Sequence, residues 1–509
     1  MNRRDLLKAG ALAGAAAAAS HLPGLGAIRA ARAALPGAVE AGGWRESRNL
    51  IFLVLDGTGY EDMAAASLFS RRVLGRPLLL ERVLSAGQYG SMDPQSLTAV
   101  VTDSAAATSA WATGRRVVNG ALSQLPDGRD LTTILQLARD QGRATGLVTS
   151  TRMTHATPAG WVARVAARGM EEEIAEQYLA FRPDVLLGGG RGPFEAETRS
   201  DGRDLVAEFR EAGYDVIHDE EGLEAATGDR LLGLFTDRDL HLPYEVDRRF
   251  QNAPSPSLTT MTTKALQHLG DRDGGFVLQV EAGRIDHANH RSDLGAALWD
   301  WIAADEALDV ILTFMEIQND TILIVAADHD TGGGAVYGFG PGYRASTPAF
   351  ETLGGVRASH EWLFREVIVP GVSPENIQDA VQEYLGVMVP DSNAEIMARV
   401  VAGERGNREV QRGHPNAHAS QPGNTLAKLI TISPDGTPDR PNVSFSTSHH
   451  TAGLVPVAVL GPSVAPGSLG FVENTEIFHI MCAALGVRFE NPGMTEAEAL
   501  EVAGVGRGA

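Results

Sequence analysis

Short apolar runs recur along this chain and alternate with longer stretches whose apolar positions fall at helical spacing. The β-branched or Leu-rich segments Asn49–Leu55, Ala144–Thr149, Asp184–Leu187, Phe276–Val280, Thr321–Ala327 and Val455–Leu460 are predicted strands. Leu131–Gln141, Met170–Phe181 and the long Ser292–Gln318 carry the helical pattern, the last ending before Asn319-Asp320. Strand and helix in alternation predict an α/β fold: a three-layer core with a mostly parallel central sheet flanked by helices. Ala345–Ser446 breaks that rhythm, being rich in Pro, Gly, Asn and Ser, with only short helical pieces such as Ile377–Leu385 and Asn393–Ala402. We read 345–446 as a surface subdomain inserted into a core made of 34–344 and 447–509, since loops this long tend to be functional or interfacial. No internal repeat is visible.

The length of 509 residues allows a large core, and a composition of 43% hydrophobic and 21% charged residues is ordinary for a globular protein. The first residues change the picture. Twin arginines in Asn2-Arg-Arg-Asp-Leu-Leu-Lys8 precede a weakly apolar Ala/Gly-rich stretch and then Ala31-Arg32-Ala33, an A-x-A-like cleavage site. This order resembles a twin-arginine signal over 1–33 and predicts delivery to the periplasm or beyond. No later window has the long uncharged apolar run of a membrane span, so none is expected in the mature chain. The formal charge of −21 argues against a nucleic-acid partner. It becomes more negative once residues 1–33 leave with five basic and one acidic side chain. Cys482 is the single cysteine, so no intrachain disulfide forms despite the oxidising destination.

Candidate chemistry begins where predicted strands end. Leu55 runs into Asp56, Val280 into Glu281, and Ala327 into Asp328-His329. Ligands of open α/β sheets bind outside the carboxyl ends of the strands. One acid there is ordinarily a turn former or helix cap; three such ends, one carrying Asp-His, point to a metal site. Carboxylate and imidazole suit zinc, and an all-oxygen subset suits magnesium. Asp286 and His290 lie four apart, on one face of a helical turn, five residues beyond Glu281. Alone they could equally be a surface ion pair. His449-His450 stands before the strand Val455–Leu460, where a lone histidine is more often a loop residue. In Val101–Gly114, Asp103 and Ser104 precede Ala-Ala-Ala-Thr at a predicted helix start. Both are ordinary N-caps, and a helix start also suits a bound phosphate.

The Val101–Gly114 run closely resembles the nucleophile segment of bacterial alkaline phosphatases, in which the serine is phosphorylated. The resemblance covers almost the whole chain beyond the leader except the insertion. It implies phosphate-monoester hydrolysis with two zinc ions and one magnesium. Ser104 would be the nucleophile and Arg168 the phosphate-binding arginine, oriented by Asp103. Asp286, His290 and His450 would hold the first zinc; Asp56, Ser104, Asp328 and His329 the second. Asp56, Thr157, in Thr154-His-Ala-Thr-Pro-Ala159, and Glu281 would hold the magnesium. His155 and His287 stand where some members carry Asp and Lys. His155 is therefore expected beside the magnesium rather than on it, and His287 among the phosphate contacts. A second histidine found in some members shortly after the Asp-His pair is replaced by Asp330-Thr-Gly-Gly-Gly334, as in other bacterial members. His360, His414 and His418, inside the insertion, are not expected to bind these metals. Family members are commonly dimers, which admits a homodimer with contacts in the insertion. A related phosphodiesterase stays open; a sulfatase does not, because Ser104-Ala-Ala-Ala-Thr lacks the Pro and Arg of its motif. An exported metal-binding protein without activity is the remote alternative.

Overall fold

The six predicted strands sit side by side in the middle of one ten-stranded sheet. The structure, a computed structural model, describes residues 46–503 apart from 239, 339, 403–441 and 463. The predicted leader over 1–33, His414 and His418 lie outside the described residues. In chain order the strands are β1 (Asn49–Val54), β2 (Gln88–Asp93), β3 (Ala144–Arg152), β4 (Val185–Gly189), β5 (Tyr214–Ile217), β6 (Arg230–Leu234), β7 (Phe276–Glu281) and β8 (Thr321–Ala326). Then come β9 (Asp330–Thr331), β10 (Gly334–Val336), β11 (Val443–Phe445), β12 (His450–Thr451), β13 (Val455–Leu460) and β14 (Gly467–Glu473). The large sheet has the order β14-β2-β13-β8-β1-β7-β3-β4-β6-β5, while β10 with β11 and β9 with β12 form two small antiparallel ribbons.

All pairings in the large sheet are parallel except those of β13, which runs against both β2 and β8. The central strands are buried on both faces: every residue of β1, β7 and β8 is buried. That is why they read as continuous apolar runs. Helices cover both faces, and the two apolar clusters divide accordingly. One holds Ile51, Leu53 and Leu278, the other Leu50, Phe52 and Val277, as side chains alternate across the strands.

The long predicted helix spans Leu294–Ile317, with Asp293 capping its first turn at Ala296 N–H. The other predicted helices run Ile134–Asp140, Glu171–Phe181, Pro374–Leu385 and Asp391–Val401. Within 345–446, the described helices Ser346–Glu351, His360–Glu366, Pro374–Leu385 and Asp391–Val401 place Phe350, Leu363, Ile377 and Met397 in the same apolar cluster as β1 and β7. No helix among the described residues is long and apolar enough to cross a membrane.

Register sets the site. Val54 pairs with Glu281 on one side and Ala326 on the other, and Thr149 of β3 pairs with Glu281. Asp56 and Asp328, each two residues past the paired Val54 and Ala326, therefore emerge at one edge beside Glu281. Antiparallel β13 brings its N-terminal end, not its C-terminal end, to that edge, and His450 comes with it.

Candidate metal centre

Gly57 lets the chain turn immediately after Asp56. Its φ of +72° is left-handed, and a Cβ there would lie 2.6 Å from the Cα of Asp286. The close approach puts the start of the helix α1 (Arg284–His290) against the end of β1. Gly57 N–H and His329 N–H both donate to Asp328 Oδ1 at 2.9 Å, fixing that carboxylate.

Two corners of different chemistry result. In the first, His290 Nδ1 contacts the carbonyl of Ser448 at 2.7 Å and His450 Nδ1 that of Thr102 at 2.8 Å. A carbonyl only accepts, so each Nδ1 carries a proton. The two Nε2 atoms lie 3.0 Å apart and 3.4 and 3.6 Å from Asp286 Oδ1. Both Nε2 atoms thus converge on one carboxylate oxygen, a donor set of two nitrogens and one oxygen that suits a cation. Burial pushes His450 down to about 4, with nearby His329 adding to the effect. Burial opposes ionisation of Asp286, but the imidazoles of His290, His450 and His329 outweigh it and hold its carboxyl well below the usual range.

In the second corner the groups are oxygen. Asp56 is fully buried, and neither of its carboxylate oxygens has a hydrogen-bond partner. Glu281 Oε1 and Thr157 Oγ1 are buried and unpartnered too, whereas Glu281 Oε2 accepts from Thr149 Oγ1. Burial, then Asp328, Asp286 and Glu281, raise the Asp56 pKa well above its ordinary value. An unpaired buried carboxylate costs several kcal/mol unless a cation or a proton compensates it. Asp56 also joins Asp286 and His329 in a third convergent group.

Ser104 lies between these corners and the helix α2 (Ser104–Thr113), every residue of which is buried. Its small side chains permit that packing, Asp103 caps Ala106 N–H, and Gly114 ends the helix in the left-handed region. Ser104 Oγ is 3.2 Å from His329 Nε2, which lies 3.0 Å from Asp328 Oδ2 and 3.9 Å from Asp56 Oδ1. Burial would lower the His329 pKa, but Asp328 beside it raises it. The rings of His329 and His450 stack with centroids 3.5 Å apart.

Arg168 reaches the site with Nη1 on Asp103 Oδ2 at 3.2 Å and Nη2 on His155 Nε2 at 3.0 Å. Guanidinium only donates, so the His155 proton sits on Nδ1, 3.6 Å from Glu281 Oε1. His155 converges with Asp56 and Glu281, yet in this tautomer its Nδ1 carries a proton and offers no lone pair to a metal, and it stands beyond hydrogen-bond distance of Glu281 Oε1. Burial lowers its pKa. His287 lies outside all three convergent groups: its Nδ1 accepts from Arg284 Nη1 at 2.9 Å, and its ring centroid is 4.2 Å from that of His241. His360 is buried, with its backbone N–H on Asp293 Oδ2 at 2.7 Å.

The structure thus gathers Asp56, Ser104, Glu281, Asp286, His290, Asp328, His329 and His450 at one sheet edge, with Asp103, His155 and Arg168 alongside and Thr157 two residues beyond His155, its hydroxyl buried. Sequence reasoning passed over several groups. Thr331 Oγ1 donates to Asp286 Oδ1 at 2.5 Å, and Asn289 Nδ2 donates to the buried Asp62 at 3.2 Å. Asp330-Thr331 stands two residues past Asp328, so proximity in sequence was the available clue. His241, 89 residues from its partner Arg152, offered none.

Comparison with known proteins gives consistent matches. The family described as Alkaline phosphatase matches residues 47–487. The crystal structure of an alkaline phosphatase from Thermus thermophilus superposes with a TM-score of 0.85 at 42% identity, covering 92% of this chain and 98% of that one. Alkaline phosphatase 3 of Bacillus subtilis is 28% identical across 85% of this chain and 87% of its own. The repressible alkaline phosphatase of Saccharomyces cerevisiae is 34% identical over 57% of this chain, and the match spans little more than half, 56%, of that protein.

Proposed function

The chain belongs to the alkaline phosphatase family, and from that premise we propose that it hydrolyses phosphate monoesters through a phosphoserine on Ser104. The observation that carries the reading is Ser104 Oγ, buried at a helix start, 3.2 Å from His329 Nε2 and beside carboxylates whose oxygens have no other partner.

The donor sets fit two zinc ions and one magnesium. Asp286, His290 and His450 offer the N/O set of one zinc; Asp56, Asp328, His329 and Ser104 that of the second; Asp56, Glu281 and Thr157 the oxygen set of magnesium. Such ions, when bound, supply Lewis-acid charge and lower the pKa of coordinated oxygen. The remaining work belongs to the chain. Ser104 Oγ forms a bond to phosphorus as the ester oxygen departs with the bonding pair and is protonated. Water then attacks the phosphoserine and releases phosphate, restoring Ser104. Arg168 holds two non-bridging oxygens as a planar fork, oriented by Asp103 and His155. Glu281 is kept in place by Thr149 and faced by the His155 N–H.

Mixing the metal-loaded enzyme with radiolabelled aryl phosphate and quenching in acid should trap label on Ser104; label on another residue overturns the reading. Ser104→Ala should lose several powers of ten in rate, each about 1.4 kcal/mol of barrier. Residues 1–33 are read as a twin-arginine signal for delivery to the periplasm or beyond, and Arg3→Lys with Arg4→Lys should retain precursor in the cytoplasm. In the same reading 34–344 and 447–509 form the catalytic core, 345–446 is the insertion, and the chain assembles as a homodimer, which ultracentrifugation tests.

A further inference from the structure

A cavity of about 980 Å³, within the range of small-molecule sites, opens beside the metal centre, with His290, Arg284, Arg291, Glu361 and Arg365 in its wall. Three guanidiniums there share one carboxylate. Arg284 Nη2 and Arg291 Nη2 each lie 3.1 Å from Glu361 Oε2, and Arg365 Nη1 lies 3.9 Å from Oε1. Burial would raise the Glu361 pKa, but Arg284 and Arg291 hold it below its ordinary value.

The three arginines differ in freedom. Arg284 is buried, lies 3.7 Å over the Tyr244 ring and donates to His287. Arg365 also pairs with Glu366 at 2.6 Å. Arg291 is one-third exposed and directly follows His290, so its backbone lies about 3.8 Å from that candidate ligand's. Of the other acids that line the same cavity, Asp247 accepts Ser359 N–H and Oγ–H, while Asp219, Glu220 and Asp237 follow β5 and β6, at the far end of the sheet from β1, and are engaged too. Asp219 accepts from Gly222 N–H, Glu220 from Thr260 Oγ1, and Asp237 pairs with Arg191. Three guanidiniums in the wall next to His290 thus face two carboxylates, the shared Glu361 and the Glu366 that pairs with Arg365 alone.

We propose that Arg291, with Arg365 behind it, forms a subsite for a second anionic group on the substrate, so that esters carrying a further phosphate or carboxylate are preferred over those with one phosphate. This rests on the phosphatase reading and deepens it. The second anion would sit beyond the scissile phosphate, in the cavity, accepting charge-assisted hydrogen bonds from a fork suited to planar or tetrahedral oxyanions. Glu361 competes with it for the same N–H groups.

The test compares kcat/KM for glucose 1,6-bisphosphate with that for glucose 1-phosphate, using the metal-loaded full chain and reading first phosphate release. The wild type should favour the bisphosphate, and Arg291→Gln should lower the ratio about tenfold, the scale of one charge-assisted contact. Arg291→Lys should recover part of the loss. Glu361→Gln should raise the ratio, a direction that a merely structural role would not produce. Calorimetry adds a binding readout: 3-phosphonopropionate should bind the wild type more tightly than propylphosphonate, with the difference lost in Arg291→Gln. Ratios unmoved by both Arg291→Gln and Glu361→Gln, or equal affinities for the two phosphonates, overturn the subsite while leaving monoester hydrolysis intact. Failure to cleave glucose 1-phosphate and an aryl phosphate alike overturns the phosphatase reading itself.

Discussion

Two sets of buried carboxylates occupy this molecule, and they are built in opposite ways. Under the helices that flank the sheet, Asp247, Asp293 and Asp305 are all spent on structure. Asp247 accepts Ser359 N–H at 2.7 Å and Ser359 Oγ–H at 2.6 Å. Asp293 caps Ala296 N–H and takes His360 N–H. Asp305 takes Leu79 and Leu80 N–H and pairs with Arg76 at 2.7 Å. At the sheet edge, Asp56 has two bare oxygens and Glu281 one. Burial is equal in the two sets, so burial does not mark a site. What marks it is the acceptor capacity left over. The first set ties distant segments together; the second holds charge in reserve for a cation.

The contrast is open to experiment, beginning where the effect should be largest. Asp56→Asn should cost about four powers of ten in kcat/KM, roughly 5.5 kcal/mol of barrier. In chelator the same variant should be at least as resistant to urea as wild type, because an uncompensated carboxylate has gone. Steady-state rates and unfolding curves with and without metal check both halves. Chelation of the wild type should lower its thermal midpoint, since an ion at a thousand times its Kd contributes about 4 kcal/mol to the folded state alone. Calorimetric scans before and after metal return would read it. Asp305→Ala should do the reverse of Asp56→Asn: a loss of about 2–4 kcal/mol, from two unsatisfied N–H groups and an unpaired arginine, with kcat per folded molecule unchanged.

A last effect is one of pH. Burial pushes the Asp247 carboxyl up to about 7, against about 3.9 in the unfolded chain. The folded state therefore keeps its proton longer, and the contribution present below about pH 4 is lost as pH rises toward about 7. Asp247→Asn should flatten that part of the stability profile relative to wild type. Parallel thermal midpoints across the window would show that the proton is not held there.

What was legible in the sequence follows the same logic of burial. The six strands read from apolar runs are β13, β8, β1, β7, β3 and β4, a contiguous block of the sheet. The four that went unread flank it. β2 and β14 keep exposed positions such as Tyr89 and Phe471, β5 has only four residues, and β6 carries Gly233 within its run. Strands with a wet face, a glycine or little length lose the signal that double burial writes. In the site, Asp56, Glu281 and Asp328 could be found because strand ends are visible in the sequence. The Glu361 contacts with Arg284 and Arg291, by contrast, cross 70 residues or more between segments with no shared pattern. Their approach is decided by packing of the helix His360–Glu366, not by local sequence.

The reversed direction of β13 has a consequence for the order in which the molecule can be made. β2, which leads toward Ser104, is joined to the body of the sheet only through β13, and His450 enters on the same segment. A chain still emerging from the ribosome has synthesised β1, β3, β7 and β8 and can pair them, and Trp111 of the serine helix can already meet Phe52 of β1, but β2 has no strand to pair with and the histidine corner lacks one imidazole. The site is therefore complete only once residues 450–460 have been made and close the gap between β2 and β8; until then the corner of Asp286 and His290 is one donor short of its full set.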